Sequence, residues 1–415
     1  MGARLIDLTR LVSRLGRGPL TGIDRVEAVW LEHLLTDPAP VGGLVRTPAG
    51  LLFLDRGGMA GLQALVRGAA ALPDRPDALS RLLRRRRPRQ ARAETAVRGL
   101  ACARAPAPLA ARMLRRQLPG GGLYLNLGHT NLDRATLALV RRAGFRSAVL
   151  VHDTIPLDHP DLVRPGTTAS FARRIAAVAR GADHVLFSTR DARTRAEAWF
   201  ARAGRVPPAL VAPLGVVPAT ADPAAVPAAL TAALGDGAPM FLALGTIEPR
   251  KDHALLVDVW DALAARLPAA DIPHLVIAGG RGWAAPALLA RLDAHPLRGT
   301  RLHEAPGLTD AAVAALMDRA AALVFPSRAE GFGLPPTEAM ARGCPVLCTP
   351  LESLCESLGN YPVYLAAGDV YSWAETIEQM ARAFGQDGSG APRKPATAPV
   401  PRWQDHFNTV LTLDA

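Results

Sequence analysis

The amino-acid sequence predicts an α/β architecture of two doubly wound domains that face each other across a cleft. Three observations carry that expectation. Apolar runs of four to seven residues alternate with amphipathic stretches of 10–15 residues through 239–349, the pattern of a parallel sheet covered by helices on both faces. The same alternation, less regular, runs through 1–212. Between the two lies PLGVVPATADPAAVPAALTAALGDGAP, rich in proline and alanine, which suits an interdomain linker over 213–238. The length of 415 residues fits two or three domains and allows a core large enough to need no disulfide.

In chain order, LIDLTRL opens a strand near the N-terminus and 23–35 reads as a helix. LLFLD (51–55), LYLNLG (123–128), SAVLVHD (147–153) and HVLFST (184–189) follow as strands, with a helix over 192–203. The second domain, 239–385, starts with the strand PMFLALG (239–245) and a helix over 252–267. HLVIAGG (274–280), AALVFPS (321–327) and CPVLCT (344–349) are its further strands, with helices over 284–294, 308–320 and 335–342 between them. A Pro-rich stretch then leads into RWQDHFNTVLTLDA, and 386–415 is expected to pack back on the N-terminal domain. In doubly wound sheets ligands bind at the loops leaving the carboxyl ends of the strands, so the chemistry is sought there.

Composition narrows the function classes. Apolar residues make up 49% and charged residues 20%, which excludes wholesale disorder. No apolar run approaches the ~20 residues of a membrane helix, and Arg4, Asp7 and Arg10 interrupt any signal-peptide core. Cys102, Cys344, Cys348 and Cys355 lack the spacing of a zinc site. No Asp-x-Asp triplet occurs to hold a metal against a diphosphate. A reducing, cytoplasmic compartment is expected, with no metal and no cofactor. The net charge of +11 is unevenly placed: 81–116 alone holds 12 arginines against Glu94. Lysine is scarce, Lys251 and Lys394 standing beside 46 arginines, so a retained lysine points to a site that needs a compact ammonium.

Two loops of the second domain carry the chemical signal. RAEGFGLPPTEAMARG (328–343) leaves a strand, turns at Gly331-Phe332-Gly333 and enters a helix at about Pro335. Outward-pointing amides at such a turn form an anion site. Glu330 and Glu338 bracket the turn and suit hydroxyl groups on either side of a phosphate, as in a nucleotide sugar. The alternative is a plain turn with Glu338 solvated. GTIEPRKDH (245–253) leaves a neighbouring strand and brings Arg250 and Lys251 to a helix start, with Asp252 as its N-cap. Cations there oppose the macrodipole by ~0.3–1 kcal/mol, a penalty that a bound anion reverses. The alternative is a solvated pair bonded to Glu248 or Asp252. The two loops together favour a diphosphate site. His152 and His129 also lie at strand ends, where an isolated histidine is commonly a hydrogen-bonded structural residue.

These stretches resemble the family 4 retaining glycosyltransferases of GT-B fold, in which two Rossmann-like domains enclose the site. GTIEPRK and EGFGLPPTE, with its two glutamates eight apart, carry the likeness most strongly. VHDTIPLDHPD (151–161), STRDARTR (188–195), APLGV (212–216) and GPLTGIDRVE (18–27) follow the family's order. The last departs from the common G-G-x-G form, because Pro19, Leu20 and Thr21 separate Gly18 from Gly22. The resemblance implies that Arg250 and Lys251 hold the donor diphosphate and stabilise it as a leaving group. Glu330 would face the donor sugar and Glu338 would bind the ribose, with Gly331, Phe332, Gly333 and Leu334 completing the donor site. Gly22, Arg25, His152 and Asp153 would lie on the acceptor side, His152 near the transferred sugar or the acceptor hydroxyl. The implied reaction moves a hexosyl group, with retention and without a metal, from a nucleoside-diphosphate sugar to a saccharide or lipid-linked saccharide during polysaccharide biosynthesis. GTIEPRK looks most like mannosyltransferase members, which points to GDP-mannose.

The segment 81–116 contains no Phe, Tyr or Trp, so nucleic acid is not expected as a partner. An anionic membrane surface attracts such a segment by ~1 kcal/mol per basic residue, and Leu82, Leu83, Met113 and Leu114 would add apolar contact. Peripheral association with the inner face of the membrane is therefore expected, the alternative being a solvated insertion. Two other classes remain open: a nucleotide-sugar epimerase of the same architecture, and a non-catalytic nucleotide-sugar or nucleic-acid binding protein.

Overall fold

Branched and aromatic residues build two sheets in a computed structural model that describes residues 2–18, 20–384 and 399–414. The N-terminal sheet comprises β1 (Ala3–Asp7), β2 (Val41–Thr47), β3 (Gly50–Leu54), β4 (Ala103–Ala105), β5 (Gly122–Asn126), β6 (Phe145–Leu150), β7 (His184–Phe187) and β8 (Ala209–Val211). Their order is β4-β3-β2-β1-β5-β6-β7-β8. The C-terminal sheet comprises β9 (Met240–Leu244), β10 (His274–Ala278), β11 (Leu302–Glu304), β12 (Ala322–Phe325), β13 (Val346–Cys348) and β14 (Val363–Tyr364), in the order β11-β10-β9-β12-β13-β14. Its pairings are all parallel. In each sheet the winding reverses once, between β1 and β5 and between β9 and β12. Such reversals open a crevice beyond the strand ends, and the two crevices lie on the two domains' facing sides.

The first half differs from the expected scheme at 41–54, where β2 and β3 form an antiparallel hairpin continued by β4. The signal for β2 was diluted by Gly42 and Gly43. Side chains at those positions would run into Phe53 and Leu8, at 2.3 and 2.6 Å, so the strand trades β-propensity for close packing. β1 also stops earlier than LIDLTRL suggests. The Asp7 carboxylate accepts the Thr9 amide (3.0 Å), turning the chain into the helix Thr9–Arg14.

The arginine-rich segment 81–116 is folded into the domain rather than a solvated insertion. It forms the helices Pro88–Leu100 and Ala110–Gln117, and joins Ala78–Leu83. Ala91, Ala93, Val97, Met113 and Leu114 are buried, and Arg84 binds Glu94 (2.7 Å) while Arg98 binds Asp77 (3.1 Å). Met113 and Leu114 are therefore core residues with no face to offer a membrane. Leu82 is 73% exposed.

The last helix, Trp403–Leu411, closes the N-terminal core, and Val216 donates to Pro401 (3.0 Å) beside it. Phe407 and Val410 join Trp30, Leu31 and Leu34 there. Residues 385–398, which hold Lys394 and most of the Pro-rich stretch, lie outside the described residues.

Three buried histidines make this fold sensitive to acid. Burial holds His152, His253 and His406 down at about 4, against an ordinary value of 6.5. Between those values the unfolded chain takes up protons that the native one refuses, so stability falls as pH drops. Each histidine is expected to cost about 2 kcal/mol by pH 5. Urea titrations at pH 7 and pH 5 check this; equal midpoints would mean that the three rings are not neutral in the native state.

Candidate active site

Loops after β9 and β12, on either side of the switch point of the C-terminal sheet, converge on one carboxylate. Gly245 leaves β9, and Pro249–Lys251 makes one 3-10 turn before the helix His253–Arg266. Asp252 sits at the N-cap but in the left-handed conformation (φ 48°), and its side chain makes no cap. The expected Asp252 cap is thus absent, because the preceding turn reverses the backbone there. After β12, Glu330 reaches back between the two cations. Its Oε1 is 2.7 Å from Lys251 Nζ and its Oε2 is 2.8 Å from Arg250 Nη1. Arg250 also binds Glu248 (2.9 Å) and donates to the Ala329 carbonyl (3.0 Å). Lys251 lies over the Phe325 ring, 4.1 Å from its centroid, a further attraction for a desolvated ammonium.

Burial alone would push the Glu330 carboxyl up. Arg250 and Lys251 override it and hold the group at about 2. Burial lowers the Lys251 ammonium, against the pull of Glu330. The alternative that Arg250 pairs with Glu248 therefore holds at the same time as its pairing with Glu330.

The loop that follows is seated on the N-terminal domain. A side chain on Gly331 would come within 2.3 Å of the His152 carbonyl, so only glycine allows this approach. Thr189 donates to the Gly331 carbonyl (3.0 Å), and Ser353 and Ser357 hold the carbonyls of Glu330 (2.8 Å) and Phe332 (3.0 Å). Gly333 takes φ 86° and starts the helix Leu334–Ala341. The side chains of Phe332 and Leu334 pack into the N-terminal core. Glu338 is drawn across the cleft to Arg25 (2.6 Å). Gly22, one residue beyond the Thr21 cap of helix Gly22–Thr36, faces Leu334. Arg25 and Glu338, expected on opposite substrates, are thus brought together, whereas Gly22 and Arg25 are kept from Glu330's cluster.

His152 is buried, and its Nε2 lies 2.7 Å from the Leu127 carbonyl. Nε2 must therefore carry the proton, leaving a lone pair on Nδ1. His129 Nε2 lies 2.8 Å from the Leu150 carbonyl and donates there, so its 3.3 Å approach to the His152 amide is not a second bond. Burial raises the Asp153 carboxyl, with Arg250 opposing, which puts Asp153 in the field of the Arg250 guanidinium. Asp153, Thr154, Arg195, Arg328, Glu330 and Gly331 enclose about 50 Å³. Sites for drug-sized ligands occupy ~300–1,000 Å³, so this space is too small for one as it stands. The role of Thr189 was missed from sequence, although its strand-end position in STRDARTR was the available signal. Among the described residues, no three His, Cys, Asp or Glu side chains are grouped to hold a metal, and no helix is long and apolar enough to cross a membrane.

Two Rossmann-like domains, each with one switch point, make up the GT-B architecture. Residues 238–383 match the family of Glycosyl transferases group 1. Over 258 residues the chain is 29% identical to a serotype-specific mannosyltransferase WbdA of Escherichia coli, covering 60% of this chain and 31% of that protein. It is 34% identical over 136 residues to the O-antigen chain mannosyltransferase B of Escherichia coli, covering 31% and 33%. The chain thus spans about a third of the length of these curated relatives. Among solved structures, Anabaena HepE in complex with UDP superposes with a TM-score of 0.58 at 16% identity, covering 100% of this chain and 97% of that one. Sucrose-phosphate synthase from Thermosynechococcus elongatus gives 0.59 at 15% identity, covering 100% and 98%. Both share the two-domain fold.

Proposed function

We infer that the protein is a retaining, metal-independent glycosyltransferase that moves a mannosyl group from GDP-mannose to a saccharide or lipid-linked saccharide in polysaccharide biosynthesis. The observation that carries this reading is the Lys251–Glu330–Arg250 cluster at the β9/β12 switch point. A donor diphosphate entering the cleft meets two cations already fixed in place, and negative charge developing on the leaving group strengthens both contacts. Preorganised charge of this kind is commonly the largest catalytic contribution. Glu330, ionised at any working pH, is then released to face the positive charge developing at the anomeric carbon. Glu338, freed from Arg25, is available to the ribose hydroxyls. His152 Nδ1 presents its lone pair toward the acceptor hydroxyl, with Asp153 beside it. The mannosyltransferase names of the sequence relatives support the sugar, and UDP-bound HepE makes UDP-sugars the natural comparison.

The same reading has the protein working in the cytoplasm at the anionic inner membrane face, with Leu82, Arg85 and Arg86 turned outward. Nucleoside diphosphate release from a panel of GDP- and UDP-sugars, with and without an oligomannoside on a lipid carrier, tests the activity. Release that needs the acceptor is expected. Sugar interconversion without acceptor would indicate an epimerase, and binding without turnover a non-catalytic protein. Co-sedimentation with anionic but not neutral vesicles is expected for the membrane contact.

A further inference from the structure

A cleft lies over the other switch point, that of the N-terminal sheet. It measures about 710 Å³, large enough for a disaccharide or more. Thr9, just after β1, and Thr130 and Asn131, just after β5, form its floor. Arg46, Arg84, Arg87, Arg173 and Arg174 stand around it, against Glu94 and Asp133. Both carboxylates are already engaged, Glu94 by Arg84 (2.7 Å) and Asp133 by Arg46 (2.9 Å). Among the described residues no ion pair or side-chain hydrogen bond engages Arg87, Arg173 or Arg174. Three guanidinium groups from two separate segments therefore face one cleft uncompensated.

The cleft adjoins the reacting end of the site. Thr130 and Asn131 follow His129 directly, the His129 and His152 rings are 5.1 Å apart, and the His152 carbonyl packs on Gly331 next to Glu330. His129 and Asn131 both take φ 57°, a conformation that costs non-glycine residues about 1–3 kcal/mol and that tends to mark functional sites. A ligand seated over the floor would direct one end toward His152 and hold its other end among the arginines.

We propose that this cleft receives the acceptor, and that the acceptor is an anion: a saccharide carrying phosphate, diphosphate or carboxylate oxygens that Arg87, Arg173 and Arg174 bind. The assignment rests on the transferase reading above. Guanidinium groups match such oxygens bidentately, and the threonine and asparagine floor suits sugar hydroxyls. The folded arginine-rich segment gains a role that its charge alone did not reveal: it supplies Arg84 and Arg87 to the wall.

Equilibrium binding to the full chain tests the proposal with four probes. These are a short-chain prenyl diphosphate, an oligoglucuronide, a neutral oligomannoside and GDP-mannose. The double variant R173E/R174E is expected to weaken the anionic probe that the wild type prefers by about ten- to a hundredfold, and to leave GDP-mannose unchanged. Lys251→Ala is expected to show the reverse. All the altered arginines are exposed, so unfolding is not expected, and Arg87→Gln serves as a milder second variant. Preference for the prenyl diphosphate identifies a lipid diphosphate as the source, and preference for the oligoglucuronide identifies an acidic glycan. Equal binding of the neutral oligomannoside, or unchanged anion binding in R173E/R174E, would overturn the proposal. Failure of GDP-mannose and UDP-sugars to bind the wild type would instead remove the donor reading.

Discussion

Lys251→Ala is expected to slow glycosyl transfer by about 10²–10³-fold, the usual loss when one fixed donor to a developing anion is removed. The fold should survive, because Glu330 keeps Arg250 at 2.8 Å and no carboxylate is orphaned. Glu330→Gln is the harsher change for stability. It leaves two largely buried cations without their shared partner, and deleting one member of a buried pair costs about 3–5 kcal/mol. A nucleoside diphosphate brings the missing negative charge, so it should raise the unfolding temperature of E330Q more than that of the wild type. Equal shifts for the two proteins, or undiminished turnover by Lys251→Ala, would take the diphosphate out of this place. The pair also has a defined pH window. The Glu330 carboxyl is depressed from 4.5 to about 2, so its contribution is complete above 4.5 and fades only as pH falls toward 2.

Trp30→Ala is expected to destabilise the protein by about 3–5 kcal/mol, the range for deleting a buried large aromatic. Trp30 is fully buried, its ring centroid lies 4.8 Å from that of Phe407, and its indole N–H donates to His406 Nε2 (3.1 Å). His406 must then carry its proton on Nδ1, which faces the Ala212 carbonyl (3.0 Å). Truncating Trp30 therefore opens a cavity and strips the ring of the partner that fixes its tautomer. Chemical denaturation checks the loss. A change under 1 kcal/mol would mean that the last helix is not docked in solution.

Much of the setting of the Lys251–Glu330–Arg250 cluster was legible in the sequence for a physical reason. Strands buried on both faces read as continuous apolar runs, so 239–245 and 321–327 announced β9 and β12, and their end loops had to converge. Three short strands gave no such signal: β8 and β11 have three residues each and β14 has two. The hairpin at 41–54 was hidden by glycines chosen for packing. The Arg25–Glu338 pair joins residues distant in the chain and depends on the closed cleft, which no local pattern encodes. The charge of 81–116 was plain to see, but its folding was not, because half of its buried residues are alanines spaced among arginines.

The docking of residues 403–411 on Trp30 has a consequence for biosynthesis. Domains usually fold as they leave the ribosome, N-terminal first, yet here the first domain's core lacks Phe407 and Val410 until residues 403–411 have been made, after the whole second domain. The second domain has all its strands by Tyr364 and its long closing helix by Ala383, so it is free to finish first. A chain cut short before Trp403 would thus fail in the half whose strands are all present, and a nascent chain must keep an unfinished apolar surface from aggregation while the later half is made.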